Sequence, residues 1–136
     1  MTRYLLDANV IVHLANQVPG VERIRARLDP LKPGQAALSA ITAHELQFMI
    51  LRARVSRAHL AALDRLVRFF PVEHFDLPAA HAAADVRFQL GSQAIGPYDG
   101  LLAGHARRLG CVVVTDNVRE FARVPGLAVE NWLRVA

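Results

Sequence analysis

The sequence has one cysteine, Cys111, one lysine, Lys32, one tryptophan and two tyrosines among its 136 residues. A lone cysteine excludes an internal disulfide framework and suits a reducing compartment. It also leaves no cysteine pair from which to build a zinc knuckle. No stretch free of Asp, Glu, Lys and Arg reaches the ~20 residues that a membrane-spanning helix needs. The opening MTRYLLDANVIVHL is not read as a signal peptide, because Asp7 interrupts its apolar run and no small-residue cleavage site follows. There is no glycine-rich dinucleotide fingerprint and no phosphate-binding loop ending in Lys-Ser or Lys-Thr. His44-Glu45 begins like a zinc-protease helix, but position 48 is Phe where a second His is required. At 53% hydrophobic, the chain is far too apolar for a disordered tail. These absences leave a cytoplasmic globular chain with no membrane partner, and its length fits a single domain, 1–136.

What the chain does have is arginine. Fifteen of its 16 basic residues are Arg, set against 12 acids, for a formal net charge of +4. That excess is compatible with a polyanionic partner without demanding one. Enrichment of Ala and Arg by the base composition of the organism accounts for it equally well.

Turn signals at Pro19-Gly20, Pro33-Gly34, Pro71, Gly96-Pro97, Gly110 and Pro125-Gly126 separate short apolar runs from longer helical patterns. Strands are expected at Arg3–Leu6, Ala36–Ser39, Val72–Phe75, Cys111–Val114 and Leu127–Val129. Helices are expected at Ala8–Asn16, Val21–Leu28, Thr42–Arg54, Arg57–Phe70, Pro78–Leu90 and Pro97–Leu109. Short strands alternating with helices predict parallel strands joined by helical crossovers. The run CVVV lacks polar alternation, as expected where both faces of a sheet are covered. The expected architecture is a three-layer α/β domain, a mainly parallel central sheet flanked by helices.

Four acids stand in unusual places. Asp7 ends the apolar run RYLL, and Asp116 ends CVVVT. In a parallel sheet both lie just past the carboxyl ends of strands, the edge where open α/β folds bind ligands. Glu45 stands among apolar residues near a helix start, and Asp99 in the first turn of the helix opened by Pro97. Each has an ordinary explanation. Thr42 to Glu45 matches a capping box. Asp7 can cap the next helix, Asp99 complements a helix dipole, and Asp116-Asn117 can form an Asx turn. Together, four clustered carboxylates cannot all be ionised without a cation. Hard divalent ions take oxygen ligands, and Mg²⁺ keeps room for water and phosphate oxygens. The implied reaction is hydrolysis of a phosphodiester.

Three segments, YLLDANVIVHL, SAITAHELQFMI and IGPYDGLLAGHARRLGCVVVTDNVREFARVPGLAVENW, resemble in order and spacing the PIN-domain ribonucleases, in particular the VapC-type toxins of bacterial toxin–antitoxin pairs. The resemblance runs from Tyr4 to Trp132 and implies a PIN-like fold. It puts the family's acidic quartet on Asp7, Glu45, Asp99 and Asp116, holding Mg²⁺ or Mn²⁺ and positioning the attacking water. Thr115 and Asn117 match accessory polar residues. Two positions depart from the pattern: Asn117, where some relatives carry another acid, and Gly100, where many carry a bulky aliphatic residue. The resemblance further implies an RNA substrate, a homodimer and a cognate antitoxin. Phe48, Leu51, Leu60 and Leu63 are candidates for the antitoxin contact, and Arg3, Arg52, Arg54, Arg107, Arg108 and Arg119 for contacts to RNA phosphates. Two other readings remain open. A phosphoaspartyl phosphatase would use Asp7 as nucleophile, although Asn9 and Lys32 suit it poorly. A non-catalytic PIN-like binding module would keep the fold without the metal.

Overall fold

The computed structural model describes residues 1–54 and 56–134. Its centre is a five-stranded sheet, β1 (Tyr4–Leu6), β2 (Ala36–Ser39), β3 (Val72–Glu73), β4 (Val112–Val114) and β5 (Val129–Glu130). The spatial order is β3-β2-β1-β4-β5 and every pairing is parallel. Among the described residues the helices are α1 (Ala8–Asn16), α2 (Val21–Leu28), α3 (Ala40–Arg52), α4 (Arg57–Phe69), α5 (Leu77–Leu90), α6 (Pro97–Leu109) and the short α7 (Val118–Phe121). None is long and apolar enough to cross a membrane.

The three layers follow from strand periodicity, since successive side chains leave a strand on opposite faces. Leu6, Ala36, Leu38 and Val114 enter a core shared with α1, α2, α3 and α4. Their neighbours Leu5, Ala37 and Val113 enter a second core, shared with α5, α6 and α7. Leu5, Leu6, Val113 and Val114 are wholly excluded from solvent. Each such side chain contributes roughly 1.5–3 kcal/mol of burial. This explains why the buried positions of β1 and β4 are Leu and Val.

Several boundaries differ from the sequence expectation. Helix α3 begins at Ala40 rather than Thr42, because the Ser39 hydroxyl accepts from the Ile41 amide at 3.0 Å and serves as the cap. The Thr42–Glu45 capping box therefore does not form. Helix α5 begins at Leu77, capped by Asp76, whose carboxylate accepts from the Ala79 amide at 3.0 Å. Strand β3 is only Val72–Glu73, a short edge strand with Val72 substantially exposed. Cys111 precedes β4 rather than opening it; it is buried, and burial pushes its thiol up. Helix α7 had no counterpart in the periodicity, since four residues are too few to show one.

One close approach fixes how two helices pack. A Cβ on Gly104 of α6 would overlap the backbone of Ala83 on α5. The absent side chain is what lets these two helices touch along their backbones.

Candidate functional site

The sheet order makes β1 and β4 neighbours, with Leu6 opposite Val114. The chain leaves β1 toward β2 and β3 on one side and returns to β4 and β5 on the other, so β1/β4 is the topological switch point. Ligands bind at that crevice in open α/β sheets. Asp7 and Thr115 are the first residues beyond the two strands.

Asp7 is buried, at 4% exposure, and both of its oxygens are engaged. Oδ1 accepts from the Ala8 amide at 2.8 Å, which caps α1. Oδ2 accepts from the Thr115 hydroxyl at 2.9 Å and from Asn9 Nδ2 at 3.0 Å. Asn9 ties the two strand ends together, because its Oδ1 accepts from the Asp116 amide at 3.2 Å. The Thr115 oxygen also accepts from the Asn117 amide at 3.0 Å. Despite these bonds, burial and the nearby Asp116 charge hold the Asp7 carboxyl above its ordinary range.

An open pocket of about 290 Å³ is lined by Asp7, Ala8, Asn9, Val12, His13, Glu45, Met49, Asp99 and Asn117. Glu45 comes from the second turn of α3, and its Oε1 is buried without a hydrogen-bond partner. Burial and the Asp7 charge push its carboxyl up. Asp99, in the first turn of α6, is pushed up to about 7 by burial and by the charges of Asp7, Glu120 and Glu45. Glu120 of α7 is held below its ordinary value, chiefly by the Gly96 amide, which donates to it at 2.5 Å. Asn117 Nδ2 adds a bond to Glu120 at 2.6 Å. Asp99 and Glu120 are thus shifted in opposite directions, Asp99 up and Glu120 down. Among the described residues, no arginine or lysine forms an ion pair with Asp7, Glu45 or Asp99.

The donor set is all oxygen, as a hard divalent ion requires. Among the described residues no three His, Cys, Asp or Glu side chains are drawn into a ready-made metal cage. Mg²⁺ does not ask for one: it binds through one or two carboxylates and keeps several waters. The unpartnered Glu45 oxygen and the elevated carboxyls fit a cation that would lower the mutual repulsion.

The family model described as "PIN domain" matches residues 4–127. The chain belongs to the PIN-domain family. Within it the chain sits with the VapC ribonucleases. It is 34% identical over 134 residues to the "tRNA(fMet)-specific endonuclease VapC" of Salmonella typhimurium, covering 97% of this chain and 99% of that protein. It is 31% identical to "Ribonuclease VapC2" of Haemophilus influenzae, covering 98% of this chain and 100% of that protein. Among solved structures, the DNA-bound VapBC of Salmonella typhimurium matches with a TM-score of 0.85 at 34% identity, over 97% of this chain and 99% of that one.

In this PIN domain the expected quartet is brought to one region unevenly. Asp7, Glu45 and Asp99 line the pocket, whereas Asp116 stands beside it with Oδ2 at 2.6 Å from His13 Nε2. Glu120 adds an acid next to Asp99 that was not among the expected four, while the Asp116 charge acts on Asp7. Asn9, His13 and Glu120 were not picked out by sequence reasoning. Glu120 left one signal: it follows Asn117 by three residues at a helix start, the spacing of a cap and its partner. Of the accessory residues, Thr115 bonds Asp7 directly, and Asn117 reaches the pocket and Glu120. Of the candidate arginines, Arg3 pairs with Glu73 and Arg107 bonds Gln89 and the Pro125 carbonyl.

Proposed function

We propose that this PIN domain is the toxin of a toxin–antitoxin pair, an endoribonuclease that hydrolyses RNA phosphodiester bonds with Mg²⁺ or Mn²⁺. The observation that carries the reading is the convergence of Asp7, Glu45 and Asp99 on one pocket with no basic partner. Asp7, Glu45 and Asp99 would hold the ion, with Asp116 and Glu120 close enough to add charge. A bound divalent ion supplies Lewis acidity toward a phosphoryl oxygen and makes water a competent nucleophile near neutral pH.

The chain's own side chains do the positioning. Thr115 and Asn9 lock the Asp7 carboxylate at the β1/β4 crevice. Burial and the charges of Asp7, Glu120 and Glu45 raise the Asp99 carboxyl, and a bound cation would favour its ionised form. The His13 ring fixes Asp116 beside the pocket. RNA binding would draw on arginines near the rim through phosphate contacts, which are independent of sequence. Curated relatives named for cleavage of tRNA(fMet) support a structured RNA as substrate. Neighbours solved as VapBC complexes support a cognate antitoxin as partner. The single-domain, homodimeric and cytoplasmic readings stand as part of this proposal.

The phosphatase alternative is disfavoured by two facts. Both Asp7 oxygens are occupied by hydrogen bonds, which leaves little freedom for nucleophilic attack. Lys32 lines a different cavity with Ala36 and Pro71, at the amino ends of β2 and β3 and across the sheet from Asp7.

The test is direct. The purified chain, freed of any partner, should cleave RNA with Mg²⁺ or Mn²⁺ and stop when a chelator is added. Asp7→Asn and Asp99→Asn should each abolish cleavage while circular dichroism stays unchanged. Undiminished cleavage by both variants would reject the assigned site, and a phosphoenzyme on Asp7 would favour the phosphatase.

A further inference from the structure

The acid pocket explains bond cleavage but says nothing about how a strand is presented to it. Helix α3 supplies a second feature beside the pocket. Glu45 and Met49 line the pocket and are separated by one turn. The adjacent i, i+4 row on the same helix is His44, Phe48 and Arg52. All three are exposed, Phe48 at 53%. Tyr98, the residue before Asp99, is 48% exposed and sets its ring 5.3 Å from that of His44. Arg52 lies over the Phe48 ring, 5.2 Å from its centroid.

We infer that Tyr98, His44, Phe48 and Arg52 form a stacking platform for an unpaired RNA base at the rim of the acid pocket. The inference rests on the nuclease reading and deepens it by naming the side chains of α3 and α6 that would seat a base beside the acids. Three considerations carry it. Exposed aromatic rings beside a polar site mark a binding surface rather than a folding device. Nucleic-acid bases offer π-faces to aromatic rings and to arginine whatever their identity, so stacking needs no hydrogen-bond code. An Arg among the rings supplies the cation that a phosphate chain needs next to four acids. A base inside an A-form duplex is already stacked on both sides and cannot reach such a platform.

The experiment uses single-stranded oligoribonucleotides with 2-aminopurine at successive positions. They are titrated with Asp7→Asn chain in Mg²⁺ so that cutting does not intervene. Stacking quenches the probe at one position. Phe48→Ala and Tyr98→Ala, introduced into that chain, should weaken binding about tenfold each and remove the quench, while Tyr98→Phe retains both. The same sequence annealed into a duplex should show no quench at any position. Equal binding and equal quench in the alanine variants would overturn the platform. So would alanine variants that change sedimentation from dimer to monomer yet bind RNA unchanged, which would give these rings to a contact between copies. Cleavage by the unsubstituted chain is scored separately. Its absence would sink the nuclease reading, while the fluorescence would still decide whether a base stacks here.

Discussion

Asp7 caps α1, accepts from Thr115 and Asn9 and faces the pocket, so one carboxylate joins folding to chemistry. Removing a supporting partner should therefore damage both function and stability. Thr115→Val keeps the shape but leaves Oδ2 with Asn9 as its remaining side-chain donor. Cleavage should fall roughly 10- to 100-fold, the usual cost of losing a group that orients a ligand, and stability should fall by about 1–3 kcal/mol, because the buried hydroxyl also accepts from the Asn117 amide. The acids also set a pH dependence. The folded Asp99 carboxyl lies at about 7 against an ordinary 3.8, so the folded chain holds a proton that the unfolded chain releases. Its contribution to stability is full below pH 4 and is lost as pH rises toward about 7. Without added metal, Asp99→Asn should flatten the fall in melting temperature across that window. A parallel slope in the two proteins would refute the assignment. At this scale the sequence showed which acids were out of place. It could not show that Asp116 would turn to His13, because that contact joins residues 103 apart.

Helix starts and helix contacts hold the acids at their stations. Ser39 caps α3 and also bonds His105 Nδ1 at 2.8 Å, linking the helix of Glu45 to the helix of Asp99. His105 is buried against Phe75, and burial lowers its imidazole despite Asp76 and Glu73 nearby. Ser39→Ala removes a cap and leaves a buried ring nitrogen unpaired. The loss should be about 2 kcal/mol or more in denaturant unfolding. A loss under about 0.5 kcal/mol would contradict the link. Gly104→Ala should cost about 1–3 kcal/mol by forcing α5 and α6 apart. Gly96, Gly100 and Gly104 recur every four residues along the sequence, and of the three only Gly104 meets a neighbouring backbone closely. The start of α3 was misread because Thr42 and Glu45 matched a capping box while Ser39 was assigned to the strand. The short α7 carried too little periodicity to be seen, and Glu120 went with it.

The molecule as a whole is a parallel sheet with its switch point between β1 and β4, and the acids gather there because the crossovers put them there. The three-layer class was legible from short apolar strands alternating with helices. The strand order was not, and on it depends whether Asp7 and Asp116 end up on neighbouring strands. The larger cavity of about 710 Å³, at the amino ends of β2 and β3, is lined by Leu28, Leu31, Phe69 and Phe70 and gathers no comparable set of acids. A cavity of about 760 Å³ beside β5 and Trp132 gathers no such set either, so volume alone would have passed over the acid pocket. If the acids share one cation, a divalent ion should stabilise the entire fold by binding the native state alone. Addition of Mg²⁺ or Mn²⁺ at pH 8 should raise the melting temperature, and the rise should vanish in Asp7→Asn.

The most direct measurement is calorimetric titration of Mn²⁺ into the partner-free chain and into Asp99→Asn at pH 8. Mn²⁺ should bind the first saturably, in competition with Mg²⁺, and should fail to bind the second. Equal binding to both, or none to either, would contradict the claim that these carboxylates meet around a divalent ion.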